Sequence, residues 1–257
     1  MPILLFLAAA PAVALMIYIY KKDSVEKEPV GLLAKLVFFG ALSVIFAVIV
    51  ELILGYIVNQ IFVPGTMLHA FIDNFFAVAL IEELGKFYAL KWGSWKNKAF
   101  NYRFDGVVYS VCASLGFALV ENIMYVADGG FGTGFSRALT AVPAHAIFGV
   151  FMGLFYGKAK HFANFGDPAN SKKNLRLALW VPALIHGTYD FCLSANNDFL
   201  LLFFFVLLVA MYIVAFRAVK KAAQTDIPIV SFWYNANTNN DGWGESESAN
   251  NGGAGEE

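Results

Sequence analysis

Phe75-Phe76-Ala77-Val78-Ala79-Leu80-Ile81-Glu82-Glu83-Leu84-Gly85-Lys86 decides the fold. Apolar residues run straight into two carboxylates and an ammonium, and Phe87-Tyr88-Ala89-Leu90 then resumes the apolar character. Residues 68–90 thus form a stretch long enough to cross a bilayer, for which about 20 mainly apolar residues suffice, yet it carries charges near its middle. Such charges cost roughly 2.5–3.5 kcal/mol each at the centre of a span, so they must face one another, water or a metal.

The rest of the chain agrees with a membrane setting. Of 257 residues, 59% are hydrophobic and 14% charged, where soluble domains carry about 25% charged residues. A soluble core could not absorb this much apolar sequence; lipid can. Net charge is −1, which gives no footing for nucleic-acid binding. Cys112 and Cys192 lie inside apolar runs and read as small core residues, not as a disulfide framework or metal motif.

Seven stretches satisfy the length rule: 2–20, 31–57, 68–90, 105–126, 137–157, 175–195 and 198–217. The first lacks the basic region that precedes a secretory signal and reads as a retained span, with cleavage after the small residues Ala8–Ala14 as the alternative. Basic residues gather in alternate connections: Lys21, Lys22, Lys27 and Lys35; Lys91, Lys96, Lys98 and Arg103; Lys158, Lys160, Lys172, Lys173 and Arg176; and Arg217, Lys220 and Lys221. Only Lys86 and Arg137 lie elsewhere. Cytoplasmic loops concentrate Lys and Arg. The expectation is an all-α bundle of about seven transmembrane helices in the cell membrane, N-terminus outside and C-terminus in the cytoplasm. Residues 1–221 would form the membrane domain. Residues 222–257, rich in Asn, Gly, Ser and Glu, would form a disordered cytoplasmic tail. Any chemistry must then sit in the membrane or in short loops.

Further polar groups lie at membrane depth: Glu121-Asn122, His145, and His186 with Asp190. Counting about 1.5 Å per residue puts Glu121, His145, His186 and Asp190 roughly 8–15 Å below the outer surface, with Glu82 and Glu83 nearer the middle. Glu82 and Lys86 are four residues apart on one helical face, in the favourable order, and Asn74 and Val78 continue that stripe. His186 and Asp190 are also four apart, so the carboxylate can orient the imidazole. Gly149, Gly153 and Gly157 recur at every fourth position, which lets helices approach closely and brings His145 near its neighbours. Each feature alone has a bland reading: a structural ion pair, a packed histidine, a helix-locking contact. Four of them in four consecutive spans point to one shared site. Glu51 has no evident partner and reads as structural or lumen-facing; Asp73, His69 and His161 sit near span ends.

A carboxylate pair with two histidines can activate water. One picture is a glutamate general base, Glu82 or Glu83, with His145, His186 or Lys86 steadying an oxyanion. The other is a Zn2+ held by Glu121, His145 and His186, with Asp190 behind His186. An ion-coupled transporter or a scaffold with a dead site is the non-enzyme alternative, since transporters also place acids and histidines at mid-membrane; no internal repeat supports it. No H-E-x-x-H, no usable G-x-S-G and no G-x-G-D occurs, which sets aside zincin-type, rhomboid and presenilin-type proteases.

Glu82-Glu83-x-x-Lys86, Phe117-x-x-x-Glu121-Asn122 and His186-x-x-x-Asp190 together resemble the motif set of the PrsW family of intramembrane proteases. The flanks extend the likeness: Asp105-Gly106-Val107-Val108-Tyr109 leads into Gly116-Phe117-Ala118, Tyr125 follows, and Arg137 precedes Pro143-x-His145. The resemblance runs from about the third to the sixth span. It implies a membrane peptidase of the wider group that includes CAAX prenyl proteases, and a CAAX-type prenyl peptidase is the enzyme alternative. It also implies cleavage of a single-pass, anti-sigma-factor-like membrane protein on its extracytoplasmic side. The family is described both as metalloprotease-like and as glutamate-dependent, so zinc stays open. The lipid bilayer is the remaining partner, and the sequence carries no sign of oligomeric state.

Overall fold

The computed structural model describes residues 2–229. Its regular elements are helices: α1 (Pro2–Lys22), α2 (Val30–Ile61), α3 (Met67–Ile72), a π-helical segment (Asp73–Ala79), α4 (Leu80–Ser94), α5 (Asp105–Leu139), α6 (Ala141–Asn164), α7 (Pro168–Ser194) and α8 (Asp198–Gln224). The helix starts are written in the local sequence. Thr66 accepts from the His69 N–H at 3.2 Å, Asp167 from the Asn170 N–H at 3.0 Å, and Asn197 from the Leu200 N–H at 3.1 Å. Each satisfies an amide that the first helical turn leaves unpaired.

The protein is thus an all-helical membrane protein. By length and apolarity, four stretches can cross a bilayer: Leu4–Lys22, Val30–Ile61, Asp105–Asn164 and Asp198–Gln224. The third holds both α5 and α6. The stretches expected over 68–90 and 175–195 fall outside this set. Helix α7 begins in polar sequence, and residues 67–94 are divided between α3, the π-helical segment and α4, the last of which includes Glu82, Glu83, Lys86 and Lys91 within fifteen residues.

Helix α5 is the hub, packing on α1, α2 and α6, while α6 packs in turn on α7. The close approaches are made by glycine. A side chain at Gly153 would strike backbone of Val107 on α5, one at Gly157 the backbone of Arg103 just before α5, and one at Gly116 or Gly40 backbone across the α2–α5 contact. Small residues at this spacing allow van der Waals contact between backbones, the main source of helix association in lipid. Phe104, Val107, Tyr109, Leu115 and Tyr156 fill the core beside these seams.

Two features depart from the sequence reading. Helix α5 breaks at Gly130, whose φ of 68° and ψ of −154° suit a residue without a side chain. The chain folds back there, so Gly134 lies against Val126, and Arg137 reaches Asn122. Arg137 therefore lies on this returning arm and not at the head of the next span. The ordered body also runs past residue 221. Helix α8 continues to Gln224, and the following segment pairs with residues 101–104: Arg103 N–H donates to Ile227 O at 3.1 Å, and Ile229 N–H to Asn101 O at 2.7 Å. The physical reason is apolar: Ile229 is fully buried against the core. The rest of the tail expected to be disordered lies outside the described residues.

Candidate active site

The π-helical segment Asp73–Ala79 delivers the chain into α4, which opens with the two glutamates. Single-turn π segments in helices are frequent at functional sites. Here Asn74, on its first turn, donates to Ala70 O and to Ser194 Oγ of α7, both at 2.6 Å, fastening this helix to the one that carries His186.

Lys86 is the centre of the site. It is fully buried, and its Nζ lies 2.9 Å from Glu82 Oε2, 2.8 Å from Glu83 Oε1 and 3.0 Å from His145 Nδ1. An ammonium has three N–H donors, and all three are used. The ammonium also stands 4.2 Å from the centre of the Phe117 ring, an attractive placement for a cation. Because Nδ1 of His145 accepts from Lys86, its proton resides on Nε2, which faces Glu121 Oε2 at 2.8 Å. That tautomer follows from the network of partners.

The network continues through two more helices. Glu121 Oε2 lies 3.0 Å from Arg137 Nη2. Arg137 Nε donates to Asn122 Oδ1 at 2.9 Å, and Asn122 donates to Ala8 O of α1 at 2.9 Å. The Arg137 guanidinium lies 3.9 Å above the Tyr125 ring. On the other side, His186 Nδ1 is 3.1 Å from Glu83 Oε1, and its Nε2 is 3.1 Å from Asp190 Oδ2 and 3.9 Å from Glu82 Oε2. Phe148 stacks on the His186 ring at 4.5 Å.

All seven residues singled out from the sequence, Glu82, Glu83, Lys86, Glu121, His145, His186 and Asp190, therefore meet in one cluster. They are not equivalent. A cavity of about 430 Å³ is lined by Glu82, Glu121, Arg137, His145, His186 and Asp190, whereas Glu83 and Lys86 lie behind its wall. Arg137 also lines this cavity, and the sequence reading left it out of the site. The signal was there: Lys86 and Arg137 are the two basic residues outside the basic connections, and only Lys86 was read as part of a site. Glu51 keeps one buried carboxylate oxygen without a hydrogen-bond partner, among the described residues. His69 bonds to Asn59 at 2.8 Å on an exposed surface, away from the cluster.

The same arrangement can be tested against a metal. Oxygen and nitrogen atoms of Glu82, Glu83 and His145 converge within 4.8 Å of one another, but the point of convergence is taken by the Lys86 ammonium. That trio does not fit a metal. Glu121, His145 and His186, the trio expected from the sequence, present one carboxylate and two imidazoles to the cavity, but among the described residues this trio is not one of the groups whose donor atoms converge within 4.8 Å. A metal there would have to displace both the proton that His145 Nε2 turns to Glu121 and the contact of His186 Nε2 with Asp190, since ligation needs the bare nitrogen.

Comparison with known proteins completes the description. A family model described as PrsW family intramembrane metalloprotease matches residues 28–217. A protein named Protease PrsW from Oceanobacillus iheyensis is 37% identical over 220 residues, which cover 85% of this chain and 95% of that one. A protein of the same name from Bacillus subtilis is 34% identical over 218 residues, 85% of this chain and 94% of its own. One from Clostridioides difficile is 29% identical over 223 residues, 85% and 90% respectively. No solved structure matches the chain.

Proposed function

The chain belongs to the PrsW family of intramembrane metalloproteases, and on that premise we propose that it hydrolyses a peptide bond in a single-pass membrane protein, with Glu82 activating the water. The observation that carries this reading is the division between the two glutamates. Glu82 lines the cavity with its carboxylate held by Lys86, so it can reach both a water and a substrate carbonyl. Glu83 is fully buried and holds Lys86 and His186 in place, a positioning role. Asp190 aligns His186 from the cavity side, and Arg137 fixes Glu121. His186 or Arg137 then faces the developing oxyanion, where a preplaced donor is most effective.

Glu121, His145 and His186 would hold the metal that the family description implies, and zinc is the ion this donor set suits. Bound there, it would polarise the substrate carbonyl or lower the pKa of a bound water. The metal-free reading is favoured by one specific observation: the Lys86 ammonium already supplies the positive charge at the centre of the acids. Purified protein in liposomes with a single-pass substrate separates the two. A zinc enzyme loses cleavage to a strong membrane-permeant chelator, regains it with added zinc, and carries about one zinc per chain, the content of a single mononuclear site. Full activity in a preparation shown by elemental analysis to be metal-free leaves the glutamate mechanism alone.

Seven membrane passes fit the helices better than four. Met67–Ser94 is helical throughout, and α7 is 27 residues long, enough to span when the polar face turns to the cavity. With the basic connections inside, the N-terminus lies outside, the C-terminus in the cytoplasm, and the cavity faces the extracytoplasmic half of the membrane. This suits an anti-sigma-factor-like substrate cut on its outer side. A reporter fused after Gln224 is expected to be active only in the cytoplasm; labelling of that fusion from outside intact cells would reverse the topology.

A further inference from the structure

The candidate active site gathers acids; a second cavity, of about 440 Å³, gathers cations. It opens where α6 ends and α7 begins, between Arg103, Lys158, His161, Phe162, Lys173 and Asn174. Arg103 comes from just before α5, Lys158 and His161 from α6, and Lys173 from α7. Three separate parts of the chain thus bring positive charge to one space. No carboxylate lines it among the described residues. Its volume falls within the roughly 300–1,000 Å³ of pockets that hold small molecules.

These charges are unanswered within the chain. Among the described residues Arg103, Lys158 and Lys173 make no ion pair. The Lys158 ammonium rests over the Phe155 ring, 5.4 Å from its centre. The acids on the adjoining segments are turned to other tasks. Asp167 caps α7 by accepting from the Asn170 N–H at 3.0 Å and from Asn170 Nδ2 at 2.6 Å. Asp226 accepts the Phe104 and Ile227 N–H groups, both at 2.9 Å. His161 adds a ring nitrogen without employment: its Nδ1 is buried and has no hydrogen-bond partner. Like charges brought to one space repel, and an anion placed among them removes that cost.

We infer that this cavity binds the phosphate of an anionic phospholipid headgroup, one lipid per chain. A guanidinium can meet two phosphate oxygens at once, and the ammonium groups supply point charges around them. The lipid source is argued from depth. Lys160, next to His161, donates to Trp95 O at 2.8 Å and lies 5.2 Å from the centre of the Trp95 ring. The exposed Phe165 ring stands 4.5 Å from that of His161. Tryptophan and basic residues at helix ends belong at headgroup level. Phe162 and Leu177 set apolar wall beside the cations, as a headgroup joined to acyl chains requires. In the topology proposed above this is the cytoplasmic end, where basic pockets between helices meet anionic lipid. The inference rests on that topology for the leaflet and not for the binding. His161 stands about 24 Å along α6 from His145, at about 1.5 Å per residue, so the cavity is separate from the candidate active site.

The test uses full-length protein in neutral detergent, stripped of lipid and titrated with short-chain phosphatidylglycerol, short-chain phosphatidylcholine or inorganic phosphate at matched ionic strength. Phosphatidylglycerol at about a hundred times its Kd is expected to raise Tm by roughly 5–10 °C, with native mass spectrometry retaining one such lipid per chain. Phosphatidylcholine, which has no net charge, should do neither. Lys158→Gln combined with Lys173→Gln should weaken binding roughly 10–30-fold, the share of two charges near a lipid surface. Lys21→Gln combined with Lys22→Gln, which removes two exposed charges outside the cavity, should leave it unchanged. So should deletion of residues 235–257, which carry Asp241, Glu245, Glu247, Glu256 and Glu257 and no Lys or Arg. An equal shift from phosphatidylcholine, a shift that inorganic phosphate reproduces, or unchanged affinity in the Lys158–Lys173 variant overturns the proposal. Lipid binding that emerges only after the deletion also overturns it, by making the acids of the tail the occupant. The wild-type titration decides even if a variant fails to fold. A reporter after Gln224 that reversed the topology would move the site to the other leaflet and leave these outcomes as they are.

Discussion

Glu82→Gln is expected to lower peptide-bond cleavage by roughly 10²–10⁴-fold, the range that a positioned general base contributes. The amide keeps the size of the carboxylate and an oxygen that can still accept from Lys86 at the present 2.9 Å, so the packing survives. What it loses is basicity at the one glutamate of the pair that lines the cavity. Membrane insertion, yield and Tm should stay near wild type, because Lys86 keeps its partner Glu83. Glu83→Gln should behave differently. It weakens the anchors of both Lys86 and His186, so it should lower stability together with activity. Turnover by Glu82→Gln within a few-fold of wild type, in liposomes with a single-pass substrate, would remove Glu82 from the chemistry.

Lys86→Met is expected to be the most damaging substitution for stability, at about 3–5 kcal/mol, the usual cost of stripping one partner from a buried ion pair. The methionine fills the volume beside Phe117 but leaves Glu82, Glu83 and His145 without the donor they share. Glu83 suffers most, since it is fully buried and its second oxygen already lacks a partner. A drop in Tm of about 6–20 °C should follow, at roughly 2–4 °C per kcal/mol for a chain of this size. Adding Glu83→Gln to Lys86→Met removes the stranded charge and should restore part of the stability without restoring activity. The double-mutant cycle measures that coupling. If Lys86→Met melts at the wild-type temperature, the ammonium does not hold the acids together.

The membrane character and the clustering of the candidate site residues were legible because both rest on local signals. A charge inside an apolar stretch is costly wherever the chain goes, and residues four apart share a helical face, which gave Glu82–Lys86 and His186–Asp190 directly. The division of labour between Glu82 and Glu83 was not legible. Adjacent residues on a helix point about 100° apart, and which one meets the cavity depends on how α4 packs on α2 and α7. Arg137 was hidden by the break at Gly130, since a residue 15 positions after Asn122 is remote on a straight helix and adjacent on a folded one. Nor could spacing show that Lys86 would occupy the meeting point of Glu82, Glu83 and His145, because the histidine comes from α6. The extent of the ordered C-terminus was obscured for a similar reason: Ile229 lies beyond the last long apolar stretch, and the core it meets lies far away in the chain.

The placement of Lys86 on the same helix as both glutamates bears on how the protein is made. A hairpin or single helix leaving the translocation machinery meets lipid before its neighbours arrive, and two bare carboxylates would hold it back by roughly 5–7 kcal/mol on insertion scales. The pairing of Lys86 with Glu82 and Glu83 is internal to α4, across one turn of helix. The segment therefore enters with one of its two negative charges already compensated, and meets His145 and His186 when α6 and α7 arrive. Had the ammonium come from another helix, insertion of α4 would have had to wait for that partner; as it is, entry into the bilayer and assembly of the candidate site can proceed as separate steps.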